Sequence, residues 1–201
     1  MRKKEFTIVA GANGVGKSTL KDRFIRPDTE YFNGDIVFAQ LIEKYPHLSR
    51  EQLEGGVARS LENAVEKAIR NKTDFAFETN FSSNMPIYLT KKFRENDFNV
   101  NLLYIGVDSL NICKQRVLAR VLKGGHQIED WLIEENYREG IKKTSENLLL
   151  FDNITFVDSK LSDKSEIVAL LRKGITKIII NNNCEWFNTH FKSAFNALEN
   201  P

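Results

Sequence analysis

The chain has 201 residues, 41% hydrophobic and 28% charged, with a formal net charge of +2. This is the composition of a soluble globular chain long enough for one sizeable α/β core, and its interspersed charges point to neither nucleic acid nor a membrane surface. No stretch of about 18 consecutive apolar residues occurs, and the basic start at Met1 runs straight into a short strand, so no membrane span or secretion signal is expected. Cys113 and Cys184 match no metal or redox spacing, and the histidines at 47, 126 and 190 form no zinc cluster, which suits a reducing cytoplasm.

The first predicted element is an apolar strand from Glu5 to Ala10, followed directly by Gly11-Ala12-Asn13-Gly14-Val15-Gly16-Lys17-Ser18-Thr19. That stretch holds G-x-x-x-x-G-K-[ST] in full and opens a helix-compatible segment, the strand, turn and helix context of a phosphate loop. Glycines let successive backbone N–H groups turn toward one anion with no Cβ in the way, and the helix start adds unpaired amides. Gly11 to Thr19 would cradle the phosphates of a nucleotide. Lys17 would reach the β and γ oxygens, and the Ser18 hydroxyl would take one position on Mg²⁺. The bare pattern arises by chance in about one 200-residue chain in a hundred. Its glycine spacing does not fit the dinucleotide pattern G-x-G-x-x-G.

The first helix is expected to reach about Ile25 and to end before Pro27. Tyr31 to Ile36 reads as a short strand breaking at Gly34, which places Asn33 and Asp35 at a strand end, where ligands collect in open parallel sheets. The plainer reading of Asp35 is an Asx turn or a helix N-cap. Ser49-Arg50-Glu51-Gln52 is a capping box, and the helix it opens puts Leu53, Val57, Leu61, Ala64 and Ala68 on one core-facing stripe. Gly55 and Gly56 each cost that helix roughly 1 kcal/mol against alanine, so their small size should have a use, close packing before ligand access. Asp74 to Ser82 is a buried strand ending in the polar cluster Glu78, Thr79, Asn80 and Ser82, read as substrate recognition; for Glu78 a structural or metal-side role is the rival. Ser83 or Asn84 then caps a helix with Pro86 in its first turn.

A strand from Val100 to Val107 follows, and Ser109 caps a helix carrying Ile112, Leu118 and Val121. Arg116 and Arg120 lie four apart on one face of it, just before the break at Lys123-Gly124-Gly125-His126. Such a pair is commonly a solvated basic face, but beside a glycine hinge in a phosphate-binding chain it reads as a movable lid over about residues 109–140. A helix from Asp130 to Leu150 turns Ile133, Tyr137, Ile141 and Leu148 inward, and a last core strand spans Ile154 to Val157. Ser162 or Asp163 is expected to cap a helix through Leu171, ended by Gly174. The tail holds a strand-like run from Lys177 to Ile180 and the aromatics Trp186, Phe187, Phe191 and Phe195, the last three at helical four-residue steps. These elements predict a three-layer α/β P-loop NTPase fold with a mainly parallel sheet of about five strands. Residues 1–175 are expected to form one P-loop domain that includes this lid, with 176–201 packed on it as an extension. Right-handed crossovers bring Asp35, Glu78 and the arginine helix to the sheet edge that carries Lys17.

With these clusters the chain resembles the zeta-toxin-type P-loop kinases, which phosphorylate a sugar hydroxyl of UDP-N-acetylated sugars. The resemblance covers roughly residues 5 to 160 and rests on the phosphate loop, on Asn33-Gly34-Asp35, on F-x-F-E-T at 75 to 79, and on R-V-L-A-R-V-L-K-G-G-H from Arg116 to His126. It implies that Asp35 is the base on the acceptor hydroxyl and that Glu78 and Thr79 hold the acceptor, with Asn33 and Asn80 at the same strand ends as further acceptor-binding candidates. Arg116 or Arg120 would cover the triphosphate, ATP and Mg²⁺ are the implied cofactors, and a small antitoxin protein is a possible partner. One departure stands out: the family often has arginine immediately before the tyrosine of the helix after G-G-H, whereas here Asn136 precedes Tyr137. The rival readings are another nucleoside or small-alcohol kinase, and a nucleotide-dependent ATPase or switch with no acceptor. An ABC-type ATPase is disfavoured because the chain lacks L-S-G-G-Q and a strand ending in a hydrophobic-Asp-Glu pair.

Overall fold

The computed structural model describes residues 2–124, 127–161 and 164–198. The chain runs β1 (Glu5–Ala10), α1 (Lys17–Leu20) with a 3₁₀ turn at Lys21–Arg23, β2 (Glu30–Asn33), α2 (Gly34–Lys44), α3 (Arg50–Asn71), β3 (Phe75–Thr79) and α4 (Met85–Glu95). It continues with β4 (Asn99–Gly106), α5 (Leu110–Val121), α6 (Asp130–Glu146), β5 (Asn153–Leu161), β6 (Lys164–Arg172), β7 (Thr176–Ile179), α7 (Glu185–His190) and α8 (Lys192–Ala197). Among the described residues no helix is long and apolar enough to cross a membrane.

One sheet runs in the order β2-β3-β1-β4-β5-β6-β7. Its first five strands are parallel, and β6 and β7 add antiparallel at one edge. The sheet lies between two helical layers, and the central strands are accordingly apolar on both faces. Phe6, Ile8 and Ala10 of β1 join one core with Leu61 and Val65 of α3, Phe93 of α4 and the tail aromatics. Val9 joins the other core with Leu20, with Cys113 and Val117 of α5, and with Ile133 of α6. The predicted capping box at Ser49 and Gln52 is present, and Pro86 sits in the first turn of α4. Gly56 faces Leu41 of α2 so closely that a Cβ would lie 2.9 Å from its Cδ1, so close packing explains the small residue.

The sheet has seven strands where about five were expected. The difference lies largely after β5. The segment expected as a helix through Leu171 is β6, and it pairs with β5 in antiparallel register, Ile154 opposite Leu171 and Thr155 opposite Leu170. The exposed edge of β5 needs a partner, and the Ile167-Val168 pair suits a strand, so tertiary pairing overrides the local helical reading. Ser162 and Asp163, the expected caps, lie outside the described residues. The chain then turns at Gly174 into β7, and α7 and α8 press Trp186, Phe187, Phe191 and Phe195 around Phe156. Trp186 lies flat against the end of β4, where a Cβ on Gly106 would come within 2.6 Å of its ring.

Asp74 locks the entry of the sheet. Its carboxylate is buried and accepts from the Glu5 backbone N–H at 3.0 Å and from the Arg2 guanidinium. Burial works to raise its pKa, but the Glu5 N–H and Arg2 together outweigh it and hold the carboxyl below its usual range. A depressed folded-state pKa gives stability that is present above the unfolded value of about 4 and is lost as pH falls through the folded one. Asp74→Asn should therefore destabilise the protein by about 1–2 kcal/mol at pH 7 in urea unfolding, with the difference shrinking at about pH 3.

Candidate active site

The phosphate loop connects β1 to α1 and is wedged between β4 and α5. Gly11 has φ 141° and Gly14 φ 83°, values that favour glycine. Space demands it too: a Cβ on Gly11 would lie 2.3 Å from the Ile105 carbonyl oxygen, and one on Gly14 2.5 Å from that of Cys113. Lys17 is only 8% exposed. Its Nζ donates to the Gly11 and Ala12 carbonyl oxygens at 2.7 and 3.0 Å and to Asn80 Oδ1 at 3.0 Å. Burial lowers the pKa of its ammonium, nearby Glu78 and Asp35 work to hold it up, and Arg120 lowers it further. The lysine thus spends its three protons on neutral acceptors that a negatively charged oxygen could replace.

The neighbouring strand ends bring two carboxylates to this lysine. β2, β3 and β1 pair in parallel, Asn33 opposite Glu78 and Glu78 opposite Val9, so the ends of β2 and β3 open beside the loop. The Ser18 hydroxyl lies 3.0 and 2.9 Å from the two oxygens of Glu78, and the Tyr31 hydroxyl donates to Glu78 Oε2 at 2.5 Å. Burial and the Glu78 carboxylate both push the Tyr31 phenol upward, so it stays a donor. Asn33 caps α2 by accepting from the Asp35 and Ile36 backbone N–H groups, and its Nδ2 lies 3.4 Å from Ser18 Oγ. Asp35 itself is exposed in the first turn of α2, so the cap is Asn33 and the Asp35 carboxylate is left facing the cleft.

These residues line two adjoining spaces. An open cleft of about 740 Å³ runs over residues 13 to 20 and is bounded by Asp35, Glu78, Arg116, Arg120, Lys123 and Ser159. A smaller hollow of about 240 Å³ is bounded by Asn33, Asp35, Glu78, Thr79 and Asn80, with Phe32, Val57, Leu61 and Phe77 as its apolar wall. Lys17, Asn33, Asp35 and Glu78 belong to both. The α3 stripe that was expected to serve only the core therefore also walls the hollow, through Val57 and Leu61.

The two arginines differ. Arg116 is half-buried and donates to Ser159 Oγ at 3.2 Å, to the Ser159 carbonyl oxygen at 2.6 Å and to that of Lys160 at 3.0 Å. Ser159 is buried in turn and donates to the Val15 carbonyl oxygen at 2.6 Å, so Arg116 and Ser159 fasten α5 and the end of β5 to the phosphate loop. Arg120 is exposed on the cleft wall, near enough to Lys17 to disfavour its charge. Gly125 and His126 of the expected hinge lie outside the described residues. Asn136, at the departure noted above, is buried rather than lining the cleft, and it bonds to Asn13 of the phosphate loop.

Thr79 turns its hydroxyl oxygen to the Phe81 backbone N–H at 3.0 Å, which supports the left-handed turn at Phe81 and carries Asn80 toward Lys17. Gly140 of α6 packs on that turn: a Cβ there would lie 2.3 Å from the Asn80 carbonyl oxygen. Gly140→Ala should displace Asn80 and with it the partner of Lys17. Thermal unfolding is expected to show a loss of about 1–3 kcal/mol, and titration with an ATP analogue a several-fold weaker affinity.

A hard cation fits beside Ser18, whose hydroxyl oxygen faces the cleft with a carboxylate alongside. Among the described residues no group of three or more His, Cys, Asp or Glu could hold an ion unaided. The remaining ligands would have to be phosphate oxygens and water, as Mg²⁺ accepts. The loop, Asp35 and Glu78 lie together as the strand-end reading expected, whereas Tyr31 and Ser159 were not singled out: Tyr31 meets Glu78 across 47 residues and Ser159 meets Arg116 across 43, each through strand register.

No protein-family model matches the chain. A protein of Haemophilus influenzae described as uncharacterized is 32% identical over 127 residues, which span 63% of this chain and 88% of that one. Among solved structures, the AvrRxo1-ORF1:AvrRxo1-ORF2 complexes with sulphate ions and with ATP each match with a TM-score of 0.64 at 14% identity, over 94% of this chain and 63% of the matched one. The PezAT chromosomal toxin–antitoxin system of Streptococcus pneumoniae matches with a TM-score of 0.63 at 14% identity, over 84% of this chain and 72% of that one. The chain thus spans less than two thirds of the matched chain in the AvrRxo1 complexes. At such identities the likeness bears on the fold, and the fold is the one the resemblance implied.

Proposed function

The chain belongs to the same family as the Haemophilus influenzae protein, and from its cleft we propose that it is an ATP-dependent kinase that transfers the γ-phosphoryl group to an alcohol. The acceptor proposed is a sugar hydroxyl of a UDP-N-acetylated sugar. One observation carries the reading. A phosphate-binding cleft and a second hollow meet at Lys17, Asn33, Asp35 and Glu78, so a donor and an acceptor can lie end to end with a carboxylate at their junction.

Phosphoryl transfer asks a protein mainly for positioning and charge neutralisation. In this scheme the acceptor oxygen forms its bond to the γ-phosphorus as the bond to the β–γ bridging oxygen breaks, and ADP leaves. The hydroxyl proton passes to the Asp35 carboxylate. Lys17 gives up its loop carbonyls for the β and γ oxygens, and Arg120 offers its fork from the α5 wall. Arg116 acts as a fastening through Ser159. Mg²⁺ arriving with ATP would be held by Ser18, with Glu78 beside it, and would neutralise β and γ oxygens. Asn33, Thr79 and Asn80 shape the acceptor hollow, with the apolar wall of α3 opposite.

Both matched systems are two-protein assemblies, one of them a toxin–antitoxin pair. A small antitoxin protein is the partner proposed for this chain. The test of the activity is a panel of UDP-sugars, nucleosides and simple polyols, scored by mass spectrometry for an ATP-dependent gain of one phosphate while ADP release is followed. A phosphorylated UDP-N-acetylated sugar supports the full reading, and a different phosphorylated alcohol retains the kinase with another acceptor. ADP release without any phosphorylated product makes the protein an ATPase. No nucleotide consumption with any acceptor overturns the proposal.

A further inference from the structure

Two nearly buried amides meet at the phosphate loop. Asn13 is 8% exposed and Asn136 of α6 is 9% exposed. Asn136 Nδ2 donates to Asn13 Oδ1 at 2.9 Å, and Ser82 Oγ donates to Asn136 Oδ1 at 2.7 Å. Three segments distant in sequence, the phosphate loop, the turn after β3 and α6, are thereby joined by one chain of hydrogen bonds.

That chain has a direction. A primary amide carries its acceptor on one atom and its donors on the other, so engaging the oxygen of Asn13 leaves its –NH₂ as the end available to a ligand. Asn13 lines the large cleft and Asn136 does not. A polyphosphate accepts hydrogen bonds and donates none, so the reverse orientation would set an amide oxygen against an anion. The anion favours one polarity, and in this structure the Asn136 –NH₂, with the Ser82 hydroxyl donating to its oxygen, supplies it. Neutral groups carry this relay, so it avoids the cost of burying a charge against the loop.

We propose that Asn136 is a positioning residue which, backed by Ser82, holds the Asn13 side chain so that the phosphate loop presents a side-chain N–H donor to the nucleotide polyphosphate. This rests on the reading of the cleft as a nucleotide site. It also gives α6 a part in nucleotide binding without contact to the nucleotide.

A double-mutant cycle tests it, read as affinity for the magnesium complex of AMP-PNP by titration calorimetry, with unfolding temperatures measured alongside. Asn13→Ala and Asn136→Leu should each weaken binding roughly tenfold. The double variant should bind no more weakly than Asn13→Ala alone, because Asn136 acts only through Asn13. Ser82→Ala should weaken binding about threefold, lose its effect in the Asn13→Ala background, and be restored by Ser82→Thr. Losses that multiply to about a hundredfold in the double variant would overturn the proposal by showing independent structural roles. If Asn136→Leu does not fold, the Ser82→Ala cycle with Asn13→Ala decides between the relay and independent roles by the same rule. A wild-type protein that takes up no nucleotide overturns the nucleotide-site reading and the relay together, whereas nucleotide binding with multiplying losses overturns the relay alone.

Discussion

Lys17→Met should reduce phosphoryl transfer by about a hundred- to a thousandfold and weaken ATP binding as well, measured by steady-state turnover and by titration with AMP-PNP. The lysine is the buried cation of the loop, and its three protons are held in the free protein by two loop carbonyls and Asn80. Those bonds keep the ammonium where β and γ oxygens would arrive, so little reorganisation is needed when they do. The same burial lowers the pKa of the ammonium, which makes its charge a cost to the free fold. Methionine is of similar length and carries no charge, so the variant should unfold within about 5 °C of wild type. A loss of nucleotide binding with the fold retained is the signature of a residue kept for its ligand and not for stability.

Asp35→Asn should behave differently. Turnover is expected to fall by about 10²- to 10⁴-fold, the contribution of a positioned base, while affinity for AMP-PNP changes little. The reason is geometric. Asp35 borders both the phosphate cleft and the proposed acceptor hollow, yet among the described residues no hydrogen bond holds the loop to its side chain, and the cap of α2 is supplied by Asn33. Asparagine keeps the shape and removes the proton acceptor, so kcat bears the loss and the dissociation constant does not. An Asp35→Asn enzyme with undiminished turnover would remove Asp35 from the chemistry. A parallel loss of nucleotide affinity would place it in binding instead.

Features whose physics is local were legible in the sequence. The phosphate loop was, because close approach of its backbone to Ile105 and Cys113 demands glycine at positions 11 and 14. The capping box at Ser49 and the Pro86 helix start were legible for the same reason. The placement of Asp35 and Glu78 beside Lys17 followed from parallel topology, which fixes the strand ends that share an edge. The contacts that finish the site were not legible. Tyr31 reaches Glu78 across 47 residues and Arg116 reaches Ser159 across 43, and each depends on a register that no local pattern encodes. β6 was misread for a related reason. Its sequence suits a helix by local signals, and the decision belongs to the open edge of β5.

The proposed chemistry requires one spatial arrangement, in which the terminal phosphate of ATP lies between Lys17 and Asp35 with room for one hydroxyl. A crystal structure of the protein with AMP-PNP and Mg²⁺ measures it directly. The γ-phosphorus is expected within about 6 Å of an Asp35 carboxylate oxygen, on the side of the acceptor hollow lined by Val57 and Leu61. A γ-phosphate directed away from Asp35, or a nucleotide bound outside the Lys17 cleft, would contradict it.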